Sequence, residues 1–88
     1  MSYFVYMVEC SDKTLYTGIA KDLKRRVDEH NQSNKGAKYT KARRPVTLIY
    51  SKKLKDRSEA SKMEYAIKKL SREKKLQLIT GICFLENI

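Results

Sequence analysis

The sequence of 88 residues predicts a small α+β domain, a three-stranded antiparallel sheet flanked by helices in the order β-β-α-β-α-α. Three observations carry that expectation. Two β-forming runs, Tyr3 to Cys10 and Thr14 to Ile19, are separated by only Ser11, Asp12 and Lys13, which forces them to pair antiparallel. Segments of helical period open near Asp22, Ser58 and Ser71, each behind a residue able to cap a helix. Hydrophobic residues at 41% and charged residues at 34% fit one modest core and argue against a disordered chain.

In the first strand Phe4, Tyr6, Val8 and Cys10 alternate with Tyr3, Val5 and Met7, and both sets are largely apolar. That reads as a central strand covered on both faces. The loop length then decides where the tyrosines go. With three loop residues Cys10 lies opposite Thr14, and Tyr6 and Tyr16 share a face. A two-residue turn would separate them, but it needs a positive φ that lysine fills poorly. The three-residue loop is therefore expected, slightly strained at Lys13. Gly18 marks a close backbone approach or a bend at the end of the second strand.

The first helix starts near Asp22 and buries Leu23 and Val27. Arg26 and His30, four residues apart, stack beside that stripe towards the sheet edge, with Lys24, Arg25, Asp28 and Glu29 facing water. A lone histidine there would be read as interacting with the helix dipole. An arginine one turn earlier on the same side favours a site. After the polar connector from Asn31 to Gly36 comes a basic stretch with one helical turn expected near Thr40 to Ala42, ended by Pro45. Val46 to Tyr50 is the third strand. The next helix, Ser58 to Leu70, buries Ala60, Met63, Ile67 and Leu70, and places Glu64 at or beside the buried face. A carboxylate there needs a cation, a metal or an escape to solvent. A last helix runs from Ser71 to Ile79, stopped by Gly81. Residues 1–80 read as one domain and 81–88 as an apolar tail that packs back, adds a strand, or meets another chain as a homodimer or with a protein partner.

The net charge of +10 is uneven. Residues 35–57 carry nine basic groups and one acid, whereas residues 1–34 balance five against five. Within that band Lys35, Lys38, Tyr39, Thr40, Lys41, Arg43 and Arg44 mix cations with an aromatic ring and a hydroxyl, which suits phosphate contacts and base stacking. Nucleic acid is the expected partner, rather than a surface kept basic only for solubility. No apolar run is long enough to cross a bilayer, the start does not read as a signal peptide, and two distant cysteines with one histidine do not read as a structural zinc site. Two free thiols suit a reducing, cytoplasmic setting.

Phe4-Val5-Tyr6, Tyr16-Thr17-Gly18, Arg26 ten residues after Tyr16, His30 four later and Glu64 in a downstream helix resemble, in order and spacing, the GIY-YIG nuclease superfamily. The stretch from Lys35 to Pro45 is similar to that of its small stand-alone bacterial members, and the likeness spans roughly residues 3 to 79. The resemblance implies a divalent-metal-dependent endonuclease acting on phosphodiester bonds, on single-stranded or structure-directed DNA more than RNA, in DNA repair or processing. It implies catalytic roles for Tyr6, Tyr16, Arg26, His30 and Glu64. Glu64 would hold one Mg2+ or Mn2+ ion, Arg26 the scissile phosphate, and one of the tyrosines would orient or deprotonate water, its pKa lowered by Arg26 and the metal. Which tyrosine does so, and whether His30 assists it or binds phosphate, stays open. Three departures stand out: Phe4 replaces a glycine, Ile19 stands where some relatives have a lysine, and Lys13 occupies the turn. The absent lysine, with the lack of the separate binding domains that larger relatives add, keeps a second reading in play, a non-catalytic nucleic-acid-binding module of the same fold.

Overall fold

The computed structural model describes residues 2–32 and 38–80. The hairpin forms as expected. Strands β1 (Tyr3–Glu9) and β2 (Leu15–Ala20) pair antiparallel, with Tyr6 opposite Gly18 and Val8 opposite Tyr16. The loop is closed by hydrogen bonds from the Cys10 amide to the Thr14 carbonyl (2.8 Å) and from the Lys13 amide to the Cys10 carbonyl (2.9 Å). Lys13 takes a φ of 70°, the strained left-handed position that a three-residue loop demands. Asp12 Oδ1 accepts from the Thr14 amide at 3.1 Å and steadies the turn.

Strand β3 (Thr47–Leu54) pairs antiparallel with the free side of β1, giving the order β2-β1-β3 with β1 central. It extends beyond the expected Tyr50. Lys52 and Lys53 lie opposite Val5 and Phe4, because ladder bonds outweigh the poor strand propensity of lysine. These exposed cations also discourage further strand pairing along the outer edge. A register shift between Met7 and Val8 leaves Ile49 as an extra residue, so Ile49 and Tyr50, consecutive in sequence, both pack against one core.

Helices cover both faces. Helix α1 (Leu23–Gln32) lays Leu23 and Val27 on the face of Tyr6, Val8 and Cys10, capped by Asp22, whose carboxylate accepts from the Arg25 amide at 3.1 Å. A short α2 (Lys38–Lys41) begins two residues ahead of the expected turn. On the other face α3 (Arg57–Lys68) and α4 (Arg72–Thr80) bury Ile67 and Leu78 against Val5 and Met7, with Met63, Leu70 and Ile79 around them. Asp56 caps α3 through the Glu59 amide (2.9 Å), and Ser71 caps α4 through the Lys74 amide (3.2 Å). Asn31 clamps the end of α1 to the start of β3, accepting from the Val46 amide (2.7 Å) and donating to its carbonyl (3.0 Å). The Arg44-Pro45 peptide is cis. Cys10 carries a buried free thiol, and among the described residues no helix is long and apolar enough to cross a membrane. The tail at 81–88 lies outside the described residues.

Ile67 is fully buried where α3 meets the sheet. Truncating it, Ile67→Ala, is expected to cost about 2–5 kcal/mol in urea unfolding. Lys62→Ala, on the exposed side of the same helix, should stay within about 0.5 kcal/mol.

Candidate active site

Tyr6 is almost fully buried at the centre of the sheet, and its ring lies across Gly18 on the neighbouring strand. A Cβ at position 18 would stand 2.6 Å from Tyr6 Oη and 2.8 Å from Cζ. The expected close approach is thus between Gly18 and the side chain paired opposite it. Tyr6 Oη lies 2.7 Å from His30 Nε2, and His30 Nδ1 lies 2.8 Å from Thr40 Oγ1. His30 and Thr40 are both fully buried. One polar line therefore runs through the core from β1 to α1 to α2.

Arg26 is the second partner of the Tyr6 hydroxyl. A guanidinium can only donate, so it occupies a lone pair of the phenolic oxygen. The hydroxyl proton is then best spent on His30 Nε2, which assigns the imidazole proton to Nδ1, donating to Thr40. Burial, followed by the positive charge of Arg26, lowers the His30 pKa to about 4, so the ring is neutral at pH 7. Burial raises the Tyr6 pKa above the usual tyrosine value, and the Arg26 bond opposes this without prevailing. Arg26 thus pulls the Tyr6 pKa down, but desolvation of the phenolate is the larger effect.

Tyr16 shares the face of Tyr6. Its ring meets His30 edge-on at 5.3 Å between centroids and stacks on Tyr39 at 5.9 Å. Glu64 is half-buried on α3 and paired with Lys68 at 3.3 Å, while its negative charge reaches Tyr6 and helps to raise that pKa. The cation beside Glu64 is thus Lys68 of its own helix. Arg26 bonds to Glu29 at 3.0 Å, and Arg25 holds the same carboxylate at 3.3 Å. Glu29 was expected to face water. Its side chain is instead 18% exposed, and the Arg26 hydrogen bond keeps its carboxyl below the usual range.

The basic band divides into two kinds of residue. Lys38 and Lys41 are exposed. Thr40, expected at phosphate, is buried, with its hydroxyl at His30. Arg44, also expected at phosphate, donates from Nε to the His30 carbonyl and from a terminal nitrogen to the Glu29 carbonyl (3.4 Å), closing the C-terminal turn of α1. Arg43 pairs with Asp12 at 3.0 Å, donates to the Tyr39 carbonyl at 2.9 Å, and lies 4.0 Å over the Tyr39 ring. Tyr16 and Arg43 thus take ring surface of Tyr39 that a stacked base would need. Lys35 lies outside the described residues.

Three partners had not been identified from sequence: Thr40, Glu29 and Lys68. The last two stand three or four residues from Arg26 and Glu64, a spacing that marks helical neighbours. Thr40 carried no such signal.

As for a metal, no group of three or more His, Cys, Asp or Glu stands together among the described residues. A single half-buried carboxylate such as Glu64 suits a hard ion that keeps most of its ligands as water and substrate phosphate.

The family model described as the GIY-YIG catalytic domain matches residues 2–77. UPF0213 proteins of Desulfotalea psychrophila and Staphylococcus aureus are each 58% identical over 78 residues, 89% of this chain and respectively 71% and 94% of theirs. Among solved structures, a UPF0213 protein of Bacillus halodurans is 43% identical with a TM-score of 0.60, covering 92% of this chain and 85% of that one. A protein of E. faecalis is 39% identical with a TM-score of 0.61, covering 92% and 86%.

Two outcomes are expected. An unfolded histidine takes up a proton near pH 6.5, and folded His30 only near 4. The unfolded state therefore binds the extra proton between those values, and stability falls as pH drops through that window, by ~3 kcal/mol in all. Urea unfolding from pH 7 to 4.5 should show this slope, and His30→Gln should flatten it. Gly18→Ala should cost about 1–3 kcal/mol, part of it recovered in the Tyr6→Phe background, which removes the closest atom.

Proposed function

The chain belongs to the GIY-YIG family, a nuclease family, and from that premise we propose that it is a divalent-metal-dependent endonuclease cutting phosphodiester bonds in single-stranded or structurally distorted DNA. The observation that carries this reading is the Tyr6 hydroxyl held between Arg26 and a neutral His30. A phenol so placed can take a proton from water as it passes its own to Nε2, and the imidazolium that forms keeps Nδ1–H on Thr40. Tyr6 is thus the tyrosine favoured as base, and His30 acts as its proton acceptor. Arg26 faces the charge that develops on phosphate, with Glu29 holding the guanidinium in place. Tyr16 lines the same face and orients the substrate beside Tyr6.

Glu64 is the residue that would hold the ion, Mg2+ or Mn2+. When bound, the ion would polarise a phosphate oxygen and the leaving group. Lys68 balances the carboxylate otherwise. Lys38 and Lys41 are exposed on α2 and suit backbone phosphates.

One observation favours the alternative of a non-catalytic nucleic-acid-binding module. Both ionic groups of the site, Arg26 and Glu64, have charge partners within their own helices. That reading predicts salt-sensitive binding without metal-dependent products.

The deciding measurement is a cleavage panel of single-stranded, duplex and flapped DNA and of RNA, in Mg2+ or Mn2+. Products that vanish with chelator are expected, with Tyr6→Phe, Arg26→Ala and Glu64→Ala each slower by about 100-fold or more. No cleavage of any substrate, or cleavage untouched by these changes, overturns the proposal.

A further inference from the structure

A cleft of about 170 Å³ opens between the start of β2, helix α2 and the first turns of α4, lined by Thr14, Leu15, Tyr39, Arg72 and Lys75. Arg72 and Lys75 are three residues apart and so lie on one side of α4. Neither has an ion-pair partner among the described residues. No acid lines the cleft. This differs from the cleft of about 240 Å³ beside Arg26, where Asp22 and Glu29 stand among the cations. Two uncompensated cations beside an aromatic wall call for an anion with an adjoining apolar part, the Thr14 hydroxyl being already spent on Asp12 Oδ1 at 2.5 Å. The volume is below that of a whole cofactor or drug-sized molecule, but suits one phosphate with its sugar.

Its position relates it to the site already described. Tyr39 forms one wall and stacks on Tyr16, whose other ring contact is His30. Tyr16 and Tyr39 thus connect the cleft to the site of Tyr6 and His30.

We propose that Arg72 and Lys75, beside the Tyr39 ring, form a backbone-phosphate subsite for a nucleic-acid strand flanking the position of cleavage. It rests on the nuclease reading only in taking the ligand to be a nucleic-acid strand. The subsite brings α4 into a basic surface otherwise confined to the middle of the chain. Its contacts are to phosphate and sugar, so it adds affinity and direction without base specificity.

The test is binding of a fluorescein-labelled single-stranded oligodeoxynucleotide, followed by anisotropy between 25 and 200 mM salt in the presence of chelator, where cleavage cannot intervene. The double variant Arg72→Gln/Lys75→Gln is compared with Lys52→Gln/Lys53→Gln, which removes the same charge from exposed positions of β3. Both pairs lie on the surface, and their folding is checked by thermal unfolding. The α4 pair should weaken binding at least about fivefold at 50 mM salt and reduce the slope of log affinity against log salt by about 1.4, two released contacts on a single strand. The β3 pair should leave the slope within about 0.3 of the parent. Equal slopes in the two double variants, or a parent protein that does not bind the strand, would overturn the subsite. Because the assay is blind to cleavage, its result and that of the cleavage panel can fail independently.

Discussion

The contact between Tyr6 and His30 is the constraint on which the rest of the molecule depends. It puts a phenol and an imidazole, both almost without solvent, in the middle of a core shared by β1, α1 and Val46 at the entry to β3. Polar groups so deep are tolerated only when each is bonded. Their satisfaction accounts for much of the nearby architecture. Gly18 has no side chain because the Tyr6 ring occupies that space. Thr40 is drawn inward to take the far nitrogen of the ring, which anchors α2 although it is only four residues long. Arg44 and Asn31 then tie the end of α1 to the segment leading into β3.

The same contact sets the protonation of both groups. In water a tyrosine and a histidine would titrate near 10 and 6.5. Here burial moves the phenol up and the imidazole down, so both are neutral over the physiological range and one proton is held between them. A neutral pair costs the core far less than an ion pair would. It leaves a chain of atoms along which a proton can move once outside charge changes the balance. Arg26 at the same oxygen, held by Glu29, is the fixed charge nearest that chain.

The basic residues, uniform by composition, separate into different tasks in space. Arg43 and Arg44 brace the segment that carries Thr40, through Asp12 and through the last carbonyls of α1. Lys38 and Lys41 face solvent, and Arg72 and Lys75 line a cleft without an acid, from two helices far apart in the chain. A sum of charges cannot make that division, since a guanidinium bonded to a carbonyl and one facing solvent count equally in it.

Period-two alternation and a three-residue loop that avoids a tight turn were enough to place Tyr6 and Tyr16 on one face, and the register agrees pair by pair. Helical period placed Arg26 and His30 together and Glu64 at the margin of its stripe, because side-chain direction in regular structure follows from the backbone repeat alone. Partners contributed by segments distant in the chain were beyond that reach. Nothing local tells Thr40 to turn inward or Arg44 to close a helix, and the burial that moves the Tyr6 pKa upward exists only when sheet and helix close over it. The sequence by itself determined the order of the elements and the shared face of Tyr6 and Tyr16, because each rests on short-range periodicity. Tertiary structure alone decided the protonation of Tyr6 and His30, their partners and which cations are tied to carbonyls and carboxylates, because those depend on desolvation and on contacts between segments distant in the chain.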